Sequence, residues 1–316
     1  MTEQELTSQA IEPSTVVHRP TQGDYIRALR LPFISASVFP FIFGSFIHTG
    51  RFRFWPFIFG LVSAAATHLG ANLINDYADS RSGADWQDKK FYSFFGGSKL
   101  IQEKVLSEKT YLQLGLSCFL LALCSVFILA WLLRDASVIA YFAIIAFLGF
   151  SYSHKPFAFS YHRLGEPVLL ILFGLAPVMG AYFIQTGHFP ALKSFSFSLP
   201  FGFFTTAILF ANEVPDFNDD QKCAKFTWVS LTRPDKAWVL YYALVLLGFF
   251  YIAVNVKLKF LPPLALVSFV FMPFSLAAGR ILKKSYHDKT ALLTSSRLTI
   301  ALHAFASIVL IISAIL

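Results

Sequence analysis

The sequence predicts an all-α membrane protein, a bundle of about nine transmembrane helices that encloses a central cavity. Of the 316 residues, 56% are hydrophobic and only 14% are charged, whereas soluble domains carry about 25% charged residues. Nine stretches without Asp, Glu, Lys or Arg are long enough, or nearly so, to cross about 30 Å of hydrocarbon. Two clusters of Asp and Asn residues stand where the chain leaves such a stretch.

The nine predicted spans follow a polar beginning. Residues 1–22 have two prolines and no apolar core, so we expect a flexible cytoplasmic tail without a cleavable signal peptide, followed by a transmembrane domain at 23–316. The spans are expected at residues 31–50, 54–75, 111–133, 136–154, 167–188, 194–211, 238–256, 260–279 and 298–316.

Basic residues predict the orientation of the bundle. With nine spans, 20 of the 26 Lys and Arg residues fall on the side that holds the N-terminus and both Asp clusters. The positive-inside rule places that side in the cytoplasm, and we expect a bacterial inner (plasma) membrane. The same asymmetry explains much of the net charge of +8, so no nucleic acid partner is needed.

The first Asp cluster begins inside the second predicted span. His68, Asn72, Asn75, Asp76 and Asp79 have the spacing of one helix face. Asp85 follows after Gly83, where the helix is expected to end. Amides and carboxylates at the mouth of an apolar helix are costly in a membrane, which predicts that they face a cavity or a bound ion.

The second cluster repeats this pattern about 140 residues later, at the end of the sixth span. Asn212, Asp216 and Asp220 are spaced four residues apart. Carboxylates are the ligands that Mg²⁺ prefers, and Mg²⁺ brings substrate phosphates with it. The sequence therefore predicts that two or more Mg²⁺ ions bind a diphosphate between the carboxylates of Asp76, Asp79, Asp85, Asp216 and Asp220.

Basic side chains on the same side are candidates for holding the diphosphate. Lys99 follows Gly96, Gly97 and Ser98, whose backbone can approach an anion closely. The further candidates are Lys155, Lys225, Arg27 and Arg30, although Arg27 and Arg30 are equally suited to anchoring the first span to anionic lipid.

Both acidic motifs resemble those of a known family. NDYADSRSGAD is similar to the NDxxDxxxxxD motif of UbiA-type intramembrane aromatic prenyltransferases, and NEVPDFNDD contains their second motif, DxxxD. The segments GGSKLIQEKVLS and YSHKPFAFSYHRLGEP resemble the branch that prenylates 1,4-dihydroxy-2-naphthoate in menaquinone biosynthesis. The resemblance covers about residues 24–316.

The resemblance implies Mg²⁺-dependent transfer of a polyprenyl group from an isoprenyl diphosphate to an aromatic acceptor. It implies catalytic roles for Asp76, Asp79, Asp216, Asp220 and Tyr152, with Asp85 as a further metal ligand. It implies substrate binding by Asn72, Asn75, Lys99, Asn212 and Lys225. The chain departs from the family at Ala224, Phe226 and Leu231, where Gly, Arg and Arg are usual.

Other interpretations remain open. The acceptor could instead be 4-hydroxybenzoate, homogentisate or a lipid headgroup, and a transporter with carboxylate ion sites is a third hypothesis. Motifs more than about 15 Å apart would exclude the enzyme, because one diphosphate could not join them through metal ions. We expect a solvated position for Lys289, and a solvated position or at most an indirect role at the site for Asp219 and Glu213. We expect a capping role for Glu166 and a polar packing contact for His68. The oligomeric state is not predicted.

Overall fold

Helices make up nearly all of the secondary structure. The computed structural model of the chain describes residues 20–48, 50–83, 86 and 90–316, and within them it contains no β-strand beyond an isolated bridge between His162 and Phe226. The helices are α1 Gln22–Ala28, α2 Ser35–Phe46, α3 Phe54–Ser82, α4 Glu108–Leu133, α5 Ser137–Ser151, α6 Gly165–Leu170, α7 Ala176–Thr186, α8 Leu192–Glu213, α9 Phe217–Lys222, α10 Val229–Thr232, α11 Ala237–Lys257, α12 Met272–Lys284 and α13 Lys289–Ile315.

Seven helical segments of the described chain are long and apolar enough to cross a membrane, which indicates an integral membrane protein. Three of the seven are joined from shorter elements. A π-helical turn at Ile171–Leu175 connects α6 to α7, and 3₁₀ turns at Pro234–Lys236 and Pro263–Phe271 precede α11 and α12. The all-helical class is therefore confirmed.

The count of nine spans is not confirmed, because two expected spans are incomplete. In the first, α1 and the Leu31–Phe46 segment meet at an angle of 44°, next to Arg30, whose backbone is left-handed with φ +51°. In the fourth, α5 has only 15 residues. Residues 1–19 of the predicted tail lie outside the described residues, and α1 begins at Gln22 behind the N-cap Thr21.

The two Asp clusters end their spans differently. α3 continues past the predicted boundary through Asp76 and Asp79 and ends at Gly83, whose φ of +90° suits a glycine. The second cluster is interrupted, because α8 ends at Glu213 and α9 begins only after Asp216. Pro215 explains the break, since it has no backbone N–H to continue the hydrogen bonds of α8.

Small residues allow the helices around α8 to pack closely. A Cβ added to Gly174, in the π-helical turn, would lie 2.4 Å from the Cα of Gly202 in α8. The largest hydrophobic cluster surrounds α8 with residues of α11 and α13, including Phe201, Phe204 and Phe249. This packing holds the end of α8, and thus the second Asp cluster, in a fixed place.

Candidate active site

A cavity of about 300 Å³ lies inside the bundle. Residues of α3 from Gly60 to Asp79 line it, so it extends about 28 Å along that helix at 1.5 Å per residue. Its deep part is bordered by apolar side chains such as Leu129, Phe142 and Ile184, while Asn, Asp and Lys side chains border its mouth. The cavity is therefore long, apolar inside and polar at one end.

The carboxylates of the first cluster are buried at this mouth. Asp79 lines the cavity, whereas Asp76, only 3% exposed, lies directly behind the glycine loop. Asp76 accepts a hydrogen bond from the Ser98 backbone N–H at 3.1 Å and contacts the guanidinium of Arg30 at 3.4 Å. Asn75 donates to Asp79 at 3.2 Å. The predicted helix face is thus present and turned inward.

The second cluster meets the same loop from the other side. Asp216 accepts a hydrogen bond from the Gly96 N–H at 2.9 Å. Burial and the nearby Asp220 carboxylate raise the pKa of Asp216 to about 7. Crowded carboxylates of this kind are stabilised by a cation between them.

Lys225 joins the two clusters. Its ammonium lies 3.6 Å from Asp79 and 3.4 Å from Asp220, so these two carboxylates are no more than about 7 Å apart. Burial alone would lower the pKa of Lys225, but the Asp220 and Asp79 carboxylates outweigh it and raise the pKa well above its usual value. The clusters are therefore far closer than the 15 Å that would have excluded a shared diphosphate.

The predicted site residues do not all reach the cavity. Those that line it are Asn72, Asn75, Asp79, Lys99, Tyr152, Asn212, Asp216, Asp220 and Lys225. Lys155 is exposed and Arg27 is paired with Glu103 at 2.7 Å, so neither borders the cavity. Arg30 does border it, which favours the binding alternative over lipid anchoring. Asp85 lies outside the described residues.

Four further residues stand at the site. Glu213, Asp219 and Lys289 border the cavity, so the solvated position expected for Lys289 was wrong, while Asp219 accepts a hydrogen bond from Lys289 at 3.0 Å, in keeping with the supporting role left open for it. Tyr161 donates to Asp79 at 2.8 Å. Tyr161 lies in the family-like segment YSHKPFAFSYHRLGEP, but nothing in the pattern around Lys289 distinguishes it from the basic cluster beside it.

The structural roles predicted for His68 and Glu166, which are both buried, agree with the contacts of their side chains. His68 contacts the Ser37 hydroxyl at 2.8 Å, as expected of a polar packing contact, and it also borders the cavity. Glu166 is completely buried and accepts a hydrogen bond from the backbone N–H of Trp228, which lies 62 residues away. Its contact therefore ties a distant loop to α6, in addition to the hydrogen bond with its own backbone N–H in the first turn, which agrees with the expected capping role.

The polar mouth fits Mg²⁺ only if a ligand shares the coordination. Among the described residues, no three His, Cys, Asp or Glu side chains could hold a metal ion together. Mg²⁺ is usually held by one or two carboxylates, with phosphates and water completing its shell. The buried Asn212 Oδ1 has no hydrogen-bond partner in the described part of the chain, as expected of an oxygen that awaits a cation or a donor. The donor set therefore suits a metal bound together with a diphosphate.

Comparisons with known proteins agree with this geometry. Residues 37–311 match the sequence profile of the UbiA prenyltransferase family. The chain is 29% identical over 251 residues to the UbiA prenyltransferase domain-containing protein 1 homolog of Drosophila melanogaster, covering 76% of this chain and 67% of that protein. It is 29% identical over 222 residues to 2-carboxy-1,4-naphthoquinone phytyltransferase of Synechocystis, covering 69% and 68%. The chain thus spans about two thirds of the length of these relatives.

Solved structures show the same fold. A UbiA homolog from Archaeoglobus fulgidus, bound to GPP and Mg²⁺, superposes with a TM-score of 0.60 at 16% identity over 91% of this chain and 99% of that one. Digeranylgeranylglyceryl phosphate synthase gives a TM-score of 0.62 at 15% identity over 93% and 98%. At this identity the likeness establishes the architecture of the bundle.

Proposed function

Because the chain belongs to the UbiA prenyltransferase family, we propose that it transfers a polyprenyl group from an isoprenyl diphosphate to an aromatic acceptor, 1,4-dihydroxy-2-naphthoate in menaquinone biosynthesis. One observation carries the proposal: Lys225 contacts carboxylates of both Asp motifs at the polar mouth of a long apolar cavity. The name of the Synechocystis relative supports an acceptor of the naphthoquinone type. We place the reaction at the cytoplasmic face of a bacterial inner membrane, where the basic residues concentrate.

The residues at the mouth are suited to binding the diphosphate. Lys99, Lys225, Lys289 and Arg30 place positive charge around the carboxylates, and the prenyl chain would lie in the apolar cavity along α3. The carboxylates of Asp76, Asp79, Asp216 and Asp220 would hold Mg²⁺. Bound there, Mg²⁺ stabilises negative charge on the departing diphosphate.

The cavity also suits a reactive allylic cation. Aromatic side chains that line it, among them Phe94, Phe142, Tyr152 and Phe173, can stabilise positive charge through their ring faces. The surrounding apolar walls exclude water that would otherwise capture the cation. An electron-rich ring carbon of the acceptor then forms the new bond, with loss of CO₂ in the case of the naphthoate.

An assay of the purified protein in detergent tests this function. It offers farnesyl or geranylgeranyl diphosphate with a panel of aromatic acceptors, with and without Mg²⁺. We expect product that needs Mg²⁺ and falls at least about 100-fold in Asp76→Ala and Asp216→Ala. Asp235→Ala is the matched control, because Asp235 pairs with Arg233 on the surface outside the cavity.

The panel also decides the acceptor. Product from dihydroxynaphthoate alone supports the menaquinone pathway, whereas product from 4-hydroxybenzoate, homogentisate or a lipid headgroup would replace the acceptor and keep the reaction. Failure to bind any isoprenyl diphosphate in the presence of Mg²⁺ would refute the proposal and favour a cation-coupled transporter.

A further inference from the structure

Two buried glutamates stand beside the cavity, and binding of the diphosphate gives them no role. Glu166 lies in the first turn of α6 and Glu213 is the last residue of α8. They are 0% and 7% exposed. Their carboxyl groups face each other, and Tyr152 lies next to both of them. Three separate segments of the chain thus converge on one small polar spot.

The glutamates have more hydrogen-bonding capacity than their surroundings use. One oxygen of Glu166 accepts the Trp228 N–H. Apart from the contact between the two carboxyl groups, the other oxygen of Glu166 and the Oε2 of Glu213 are buried without a hydrogen-bond partner among the described residues. Buried polar atoms are nearly always paired, because an unsatisfied one costs free energy. Since Glu213 lines the cavity, a ligand in the cavity is the natural partner.

The chemistry of the pair selects the kind of ligand. Two carboxyl groups side by side in a buried site repel each other when both are ionised, so a hydrogen-bond donor beside them is stabilising. Such a pair carries negative charge and repels a diphosphate, but it offers an oxygen that accepts a hydrogen bond strongly. A neutral hydroxyl donor, such as a phenol, therefore fits better than a second anion.

The wall beside the glutamates has room for a ring. Gly149 is buried in α5, one turn before Tyr152, and it lines the cavity. A Cβ added there would meet none of the described atoms within 4 Å, so the space next to it is open. Leu169 and Leu172 border the cavity one and two turns after Glu166. Apolar walls, an aromatic side chain and a hydrogen-bond acceptor thus surround one open space.

We infer that Gly149, Tyr152 and Glu213 form the subsite for the aromatic acceptor, whose phenolic hydroxyl donates a hydrogen bond to Glu213. Glu166 is a positioning residue, because its carboxyl group contacts that of Glu213 and is itself fixed by the Trp228 N–H. This inference rests on the proposed transfer to an aromatic ring and names the residues that recognise it. The diphosphate and the acceptor then occupy different parts of one cavity.

Equilibrium binding measurements distinguish the acceptor subsite from the diphosphate site. The probe is 1-naphthol, which is fluorescent and has no ortho carboxylate to hold its hydroxyl in an internal hydrogen bond, and 1-methoxynaphthalene serves as the analogue without the donor. We expect the wild type to prefer the free phenol by roughly 10- to 100-fold. Glu213→Gln should weaken binding of the phenol about tenfold and remove most of this preference. Mg²⁺-dependent binding of farnesyl diphosphate should stay within about twofold of the wild type in the same variant.

Matched variants exclude a general loss of structure. Glu108→Gln makes the same change at the start of α4, where Glu108 pairs with Ser80 outside the cavity, and should leave both affinities unchanged. Gly149→Leu places a large side chain in the open space and should abolish binding of the phenol, whereas Gly149→Ala, whose Cβ has free space around it, should be milder. Glu166→Gln should weaken binding of the phenol while retaining the affinity for farnesyl diphosphate.

The outcomes distinguish this inference from the proposed function. An unchanged preference for the phenol in Glu213→Gln, or no binding of the phenol by the wild type, would overturn the subsite. Binding of the phenol through Glu213 without product from any isoprenyl diphosphate would support the subsite and refute the transferase. Product formation with the same acceptor KM in the wild type and Glu213→Gln would support the transferase and refute the subsite.

Discussion

Lys225 should stabilise the protein most when no metal is bound. Its ammonium is the cation that contacts Asp79 and Asp220 at 3.6 and 3.4 Å. The change Lys225→Met keeps the length and apolar stem of the side chain but removes the charge. In the absence of Mg²⁺, the two carboxylates would then face each other without this compensating charge.

The burial of these groups sets the size of the effect. The Lys225 side chain is only 16% exposed, and both carboxylates are less exposed still. Removing one partner of a buried ion pair costs about 3–5 kcal/mol, and the open cavity favours the lower end of that range. For a chain of this length, about 3 kcal/mol corresponds to a decrease of about 5 °C in melting temperature.

Thermal unfolding in detergent measures this change. The wild type and Lys225→Met are compared first in EDTA and then with Mg²⁺ and an isoprenyl diphosphate. Bound Mg²⁺ supplies the missing charge, so the ligands should raise the melting temperature of the variant more than that of the wild type.

Lys222→Met is the matched control, three residues away. Lys222 is 58% exposed and pairs with Asp219 at 3.0 Å, and an exposed ion pair contributes at most about 1 kcal/mol. If Lys225→Met and Lys222→Met melt at the same temperature in EDTA, the bridging role of Lys225 is refuted. If added Mg²⁺ stabilises all three proteins equally, the carboxylates are not its binding site.

Three further changes test the loop, the mouth and the packing. Gly96→Ala should cost about 1–2 kcal/mol of stability, because the backbone φ at this position is +71°. It should also reduce activity about tenfold, because the Gly96 amide contacts Asp216. Thermal unfolding and kinetic assays measure the two effects. Lys289→Met should raise the KM for the diphosphate about tenfold with little change in kcat, since Lys289 lines the mouth. Gly174→Ala should lower the melting temperature by several degrees, because its Cβ would meet the Gly202 backbone at 2.4 Å.

The first two of these changes have a control elsewhere in the chain. Gly187→Ala has a similar φ of +78° with open space around it, so it should share the loss of stability while keeping the activity. Lys283→Met removes a charge that lies over the Trp238 ring outside the cavity. If Gly96→Ala and Gly187→Ala had equal activity, the role of the Gly96 loop at the site would be contradicted. If Lys289→Met and Lys283→Met had equal KM values, the position of Lys289 at the mouth would be contradicted. A Gly174→Ala protein as stable as the wild type would show that the helices can separate without cost.

The sequence by itself predicted the class of fold and the two acidic clusters. Membrane helices are readable from sequence because a lipid environment demands long uncharged segments, whatever their neighbours are. The inward face of α3 was also predictable, because the spacing of Asn72, Asp76 and Asp79 fixes their direction on a helix. Pro215 is the visible sign in the sequence that the second cluster does not continue α8.

Only the tertiary structure decided which charged residues reach the cavity. Lys155, Arg27 and Lys289 are all basic residues next to apolar segments, yet only Lys289 lines the mouth, while Arg27 pairs with Glu103. The pairing of Glu166 with Glu213 joins residues 47 positions apart and could not be read from either motif. Local spacing fixes the direction of a side chain on its own helix, but contacts between helices depend on crossing angles and bends that many distant residues set together.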